Sequence, residues 1–435
     1  MSLHPRPTVL TLVATAAAVL LAAHRGGAQE LSVDFEALVT ADDPEGVYVE
    51  PQIAVDPADP SRMVVAAIHL REPASDAWQD RQTVAVFASR DGGRSWARRA
   101  LEKLPDTWVA GDPWLAWGPG SRVYLSAVVA ESLTRRGALQ FTGVFHSLDG
   151  GWTWGDGPER PFPDSARQDH PWIGVVDSTI AVAGSIADRT GEGLHLATGR
   201  ATDPPLFWST GRLEPGWPQV NLGGGALMPD GALVMSYYTM VPPRRYAVRR
   251  LEPGGARGPE AVLAEDFPPL GFPPLARQRG TNRVFAAWAE GPEPSITLRV
   301  AVSPDGGRSW APGGAIAPDT GFSLRTLPAL AVARDGTVAL VWQALDERGA
   351  CTRLEGAVSV DGGRTFLPPA RVSAAASCFG TAANGAAASR FRLGGGDYQG
   401  LAPAGSGPTF QAVWADSRSG TFQIRTARVR VVGDP

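Results

Sequence analysis

Lysine is all but missing from this chain. Of its 40 basic residues only Lys103 is a lysine, so chemistry that runs through a lysine Schiff base has almost nothing to work with. A basic excess is missing too: 40 Lys and Arg stand against 44 Asp and Glu, a net charge of -4. Neither nucleic acid nor an anionic membrane surface is the expected partner, since both call for a basic face. Histidine numbers 6, and no two lie at a metal-ligand spacing. Although His69, His170, Asp112 and Asp169 could converge, no motif supports it, so no metal and no other cofactor is expected. Cysteine is limited to Cys351 and Cys378, too few for a zinc site.

Long apolar runs are scarce as well. The longest, from Val9 to Ala23, falls short of the roughly 20 residues a spanning helix needs. It follows Arg6 and precedes the small residues Gly26-Gly-Ala28, the pattern of a secretory signal. Residues 1–28 are therefore expected to be a signal peptide, with a mature chain over 29–435, no membrane insertion after its removal, and a secreted or periplasmic destination. Export makes an intrachain disulfide between Cys351 and Cys378 the first expectation, two free thiols being the alternative.

What is plentiful is turn and strand material: Gly 51, Pro 38 and Trp 14 suit many short strands rather than helices. One eight-residue stretch occurs four times, as Ser89-Arg-Asp-Gly-Gly-Arg-Ser-Trp96, Ser147-Leu-Asp-Gly-Gly-Trp-Thr-Trp154, Ser303-Pro-Asp-Gly-Gly-Arg-Ser-Trp310 and Ser359-Val-Asp-Gly-Gly-Arg-Thr-Phe366. Each follows an apolar run such as Val84-Ala-Val-Phe-Ala88, which predicts strand, tight turn, strand. The Asp accepts turn N–H groups, the glycines tolerate φ > 0, and the closing aromatic anchors the turn.

These stretches resemble the Asp box of the sialidase-like β-propellers, also known as bacterial neuraminidase repeats. In that family the box lies away from the active site, so the resemblance implies a fold and assigns the boxes a structural role.

The boxes start at 89, 147, 303 and 359, and the wide middle interval equals three repeats of the same size. Pro-flanked apolar segments recur in step at Pro51, Pro113, Pro171, Pro218, Pro273 and Pro328, with Tyr398-Gln-Gly-Leu401 in the seventh place. A unit this small buries no core alone, and radial repetition is the remedy. The expected architecture is all-β, a single β-propeller of seven four-stranded blades, with six as runner-up. The last unit has only three strands, ending with Phe422–Val432, and Glu30–Val39 alternates without a partner. Pairing the two closes the ring and removes its exposed edges. A monomer is expected.

In such a ring the residues ahead of the inner strands open on one face, opposite the boxes. Glu50, Asp112, Asp169 beside His170, and Asp397 beside Tyr398 stand there, in units that are neighbours once the ring closes. Arginines recur in the loops after the second strands, among them Arg71, Arg189, Arg348 and Arg418. Ion pairs between loops are the commoner use of an arginine beside an acid; carboxylate recognition is the functional alternative. The resemblance implies a sialidase-type site with Tyr398 as nucleophile, Asp112 or Asp169 as acid, and arginines on the substrate carboxylate. The chain departs from the family at its Phe-Arg-Ile-Pro motif, having Val49-Glu50-Pro51-Gln52-Ile53 instead. Paired carboxylates such as Asp112 and Asp169 also suit hydrolysis of a neutral glycan. The expectation is thus a carbohydrate or other small polar ligand at the channel mouth, with Asp112, Asp169, Asp397 and Tyr398 as catalytic candidates and Glu50, Arg71, Arg189, Arg348 and Arg418 as binding candidates. A non-catalytic binding or scaffolding propeller is the alternative.

Overall fold

The computed structural model describes residues 29–434 apart from 102–103, 106, 136, 156, 163–166, 189–190, 214–219, 255, 266, 269, 318–323, 347–349 and 379–393. The expected signal peptide, Arg189 and Arg348 lie outside the described residues.

Strand formation follows from apolar runs that must be covered on both faces. Met63–Leu70 and Val123–Ala130 are buried almost throughout, which is the pattern of a strand packed between two sheets rather than on the edge of one. The strands form seven antiparallel sheets, six of them built in chain order from the axis outward and the seventh completed by the first strand of the chain. Blade 1 runs Val47–Val55, Met63–Leu70, Gln82–Ser89 and Ala97–Arg99. Blade 2 has Val109–Trp117, Val123–Ala130 and Gln140–Ser147, the outer place being held by a single bridge from Val144 to Glu159. Blades 3, 4, 5 and 6 start from inner strands Arg167–Val176, Val220–Leu227, Leu275–Arg277 and Leu324–Val332. Blade 7 has Gly400–Pro403, Thr409–Asp416 and Gln423–Val432, and its outermost strand is Glu30–Leu38 from the other end of the chain, paired from Glu30 with Val432 to Leu38 with Arg425. Seven blades, closed as expected, replace the six-bladed alternative.

The core lies in the seams between sheets. Apolar layers join each blade to its neighbour, from the blade 7 and 1 seam around Tyr48 and Ile424 to the blade 6 and 7 seam around Trp414 and Val429. Trp172, Trp288 and Trp342 fill three others. Burying one such ring contributes about 3 kcal/mol, so the seams hold the ring together.

The four Ser-x-Asp-Gly-Gly turns share one geometry. The serine Oγ donates to the Asp Oδ1 at 2.7–2.9 Å and accepts the N–H of the second glycine at 2.7–3.0 Å. The same Oδ1 accepts two further backbone N–H groups at 2.8–3.0 Å. Both glycines have φ of 74–87°. Three of the four turns also seat on the preceding blade through an arginine: Arg428, Arg250 and Arg283 donate to the carbonyls of Gly92, Gly306 and Gly362 at 2.8–3.0 Å. The motif is therefore a rivet between blades, at the end of the ring opposite the cavity described below.

Cys351 pairs with Cys378 in a disulfide across two antiparallel neighbours of blade 6. Among the described residues no helix is long and apolar enough to cross a membrane.

Candidate functional site

Four inner strands break their ladder just ahead of a proline. The register shifts between Val49 and Gln52, Gly111 and Trp114, Asp169 and Trp172, and Thr326 and Ala329. At these bulges the pre-proline residue takes positive φ: Glu50 at 55°, Asp112 at 50°, His170 at 48° and Leu327 at 54°. Proline has no N–H to lose from the ladder, so a bulge is tolerated there. The left-handed conformation costs a side-chain-bearing residue about 1–3 kcal/mol, and such strain gathers at functional sites. The sequence placed Glu50, Asp112 and Asp169 in loops ahead of the strands; they lie inside the strands, at the bulges, and the bulge is what turns a strand residue toward the axis.

The side chains meet in a central cavity of about 690 Å³. Glu50 from blade 1, Asp112 from blade 2, Asp169 and His170 from blade 3, and Asp397 and Tyr398 leading into blade 7 all line it, as do Tyr238 and Phe272. Gln82, Gln140, Gln168 and Asn221 add amides. No lysine or arginine lines it among the described residues. Arg71 is exposed on the rim, its backbone N–H bonded to the Arg81 carbonyl at 2.8 Å. Arg418 is bonded to Asp416 and, at 2.9 Å, to Glu36 on the closing strand. Neither reaches the cavity.

Asp112 is the electrostatic centre of the site. Burial, then the neighbouring charges of Asp169 and Glu50, then a hydrogen bond with the Asp169 carboxyl push its pKa well above the carboxylate range, against a backbone N–H from His170 at 3.3 Å. Two carboxyls in one site cannot both ionise freely, so one proton stays with the pair. Asp169 is open to the cavity. Tyr398, 4 % exposed, is pushed far up by burial and then by Glu50, Asp112 and Asp397. It rests as a phenol whose hydroxyl sits beside Glu50 without a well-formed hydrogen bond. Glu50 is clamped by the chain entering blade 7: its N–H bonds the Gly395 carbonyl at 2.9 Å and its Oε1 accepts the Asp397 N–H at 3.0 Å. A side chain at Gly396 would put a Cβ 2.1 Å from the Glu50 Cγ, which explains the glycine.

His170 is 3 % exposed and burial draws its pKa down to about 4, against the charges of Asp169 and Asp397 and a hydrogen bond to the Gly223 carbonyl. At neutral pH the imidazole is uncharged. It stacks on Phe272 with centroids 3.7 Å apart and planes 5° from parallel, and meets Trp114 and Tyr398 at 5.4 and 5.3 Å. Its Nε2 has no hydrogen-bond partner. The aromatic partner Phe272 was not among the expected residues, although it precedes Pro273 just as Glu50 and Asp112 precede their prolines. That shared position was the available signal. Among the described residues no cluster of His, Cys, Asp and Glu has the arrangement of a metal site.

The sequence matches no protein-family model and no curated protein. Solved structures of similar fold include a Dyadobacter fermentans protein of unknown function, 12% identical with a TM-score of 0.52 over 92% of this chain and 99% of that one. A leech intramolecular trans-sialidase is 11% identical with a TM-score of 0.49, over 79% of this chain and 70% of that one. Phage phi92 endosialidase is 10% identical with a TM-score of 0.48, over 93% and 69%. At these identities the likeness is one of fold, and sialidase propellers are among the chain's structural neighbours.

Proposed function

We propose that this chain is an exported, carbohydrate-directed propeller that works as a glycoside hydrolase at its central cavity. The observation that carries the reading is the burial of the Asp112 carboxyl beside Asp169 and Glu50, which pushes its pKa well up, in an open cavity of about 690 Å³. A carboxyl kept neutral at the working pH is what a general acid must be.

Asp112 and Asp169 are hydrogen-bonded to one another. Retaining pairs stand about 5–5.5 Å apart and inverting pairs about 6.5–9.5 Å. The dyad therefore acts as one proton-holding unit, and the second carboxylate falls to Glu50 or Asp397, which line the same cavity. That close contact also favours a second reading, a lectin-like site that holds a glycan without cleaving it. The lack of a lining cation among the described residues disfavours a carboxylate-bearing sugar. Arg189 and Arg348 are the two expected arginines still available to alter that preference. Export through residues 1–28 fits the disulfide, and the closed ring fits a monomer.

The test is a glycoside panel, including a fluorogenic sialoside, run on the wild type and on Asp112→Asn and Asp169→Asn. Hydrolysis of a neutral glycoside, lowered about 10²-fold or more by Asp112→Asn, is the expected result. Binding without turnover supports the lectin-like reading. Hydrolysis untouched by either substitution removes the dyad from the chemistry.

A further inference from the structure

Two side chains of the cavity wall, Gln168 and His170, each hold a polar atom with no hydrogen-bond partner, and the two atoms differ in polarity. Gln168 is 1 % exposed. Its Oε1 accepts the Thr142 N–H at 2.7 Å, which fixes the way round the amide lies. The atom left over is therefore the amide nitrogen Nε2, a donor only. His170, almost fully buried, gives one ring N–H to the Gly223 carbonyl. The remaining nitrogen, Nε2, is unpartnered, and in the neutral ring it is an acceptor only. Other amides of the cavity are engaged: Gln140 donates to the Gln168 carbonyl, and Asn221 Oδ1 accepts the Ser185 hydroxyl and the Leu222 N–H. Buried polar groups in folded proteins are nearly all paired, so an unused donor and an unused acceptor on either side of Asp169 call for a partner from the cavity itself.

The pair selects by polarity. A carboxylate only accepts, and would meet the His170 lone pair; an ammonium only donates, and would meet the Gln168 N–H groups. A hydroxyl does both. Tyr398, whose hydroxyl in the same wall also lacks a well-formed hydrogen bond, fits either role. We infer that Gln168 and His170 determine the specificity of the cavity, reading an uncharged polyhydroxylated ligand through one ring hydroxyl, or two adjacent ones, that accepts from Gln168 Nε2 and donates to His170 Nε2. The inference names the substrate class of the hydrolase proposed above and rests on that reading for turnover alone. The polarity argument holds for any polyol.

Ligand-observed NMR titration of the full-length mature protein at neutral pH tests it. The probes are the methyl glycosides of glucose, galactose and mannose, analogues of each lacking one ring hydroxyl, 3'-sialyllactose and myo-inositol. The same titrations are run on two variants. Gln168→Glu keeps an oxygen for the Thr142 N–H and loses the donor; His170→Phe keeps a ring on Phe272 and loses the acceptor. In the wild type one parent glycoside is expected to bind at least about tenfold more tightly than its analogue without the recognised hydroxyl. In each variant that gap is expected to close, with the melting temperature near wild type, and either variant suffices should the other not fold. A merely structural role would weaken parent and analogue alike and keep the gap. A gap preserved in the variants, or no discrimination by the wild type, overturns the inference and leaves the carbohydrate reading standing. Binding of myo-inositol with no glycoside bound upholds the hydroxyl recognition and removes the glycoside. Tighter binding of sialyllactose than of every neutral glycoside overturns the polarity assignment, and no binding by any probe overturns it together with the hydrolase reading.

Discussion

Asp112 shows at the scale of one residue how the site is held against its own stability. Folding takes its carboxyl out of water and sets it beside Asp169 and Glu50, which raises its pKa well above the ordinary value. From about pH 4, where the unfolded chain releases this proton, up to that raised value, the folded state holds more protons than the unfolded one. Stability from this group is therefore greatest below about pH 4 and falls as pH rises through the window. Asparagine keeps the shape, donates to Asp169 and cannot ionise. Asp112→Asn is expected to raise the melting temperature at neutral pH while lowering activity; a variant destabilised at neutral pH would show that the carboxyl is not strained. The acids were legible in the sequence because the repeat fixes the phase of each inner strand. Phe272 carries no polar group that marks it as chemistry in the sequence, although its place before Pro273 matches that of Glu50 and Asp112. Arg418 went the other way: a long cation finds nearby carboxylates first, and Asp416 and Glu36 hold it within blade 7.

At the scale of the element, the turn motif and the bulge differ in how far they can be foreseen. Ser-x-Asp-Gly-Gly specifies its own hydrogen bonds, since an Asp, a serine and two glycines with φ > 0 leave few other closures. That the second glycine is also an inter-blade contact is invisible until the ring is assembled: a Cβ at Gly151 would lie 2.3 Å from the Val64 side chain of blade 1. Gly120 provides the comparison, with φ of +64° and nothing within 4 Å of its absent Cβ. Gly120→Ala is expected to cost about 1 kcal/mol, the backbone strain alone, and Gly151→Ala at least twice that because Val64 must also move. Urea denaturation of the two variants checks this, and equal losses would mean that the turn does not bear on its neighbour. The bulges were not foreseen, because a residue before proline is ordinarily extended and left-handed Glu50, Asp112 and His170 depart from that rule in concert.

On the scale of the whole molecule, the ring makes neighbours of residues at opposite ends of the chain. Glu50 and Asp397 touch through the N–H of Asp397 only because the strand Glu30–Leu38 closes blade 7. Blades 2 and 3 likewise bring Asp112 onto Asp169. The measurement that bears most directly on this arrangement is a carbon-13 NMR pH titration of the aspartate carboxyls, assigned with Asp112→Asn, in wild type and in Asp169→Asn. The expected result is one carboxyl titrating well above the usual aspartate range, absent from Asp112→Asn and shifted down when Asp169 is neutralised across the blade boundary. A wild-type protein in which no carboxyl assigned to Asp112 titrates above that range, or one whose Asp112 ignores the change at Asp169, would contradict it.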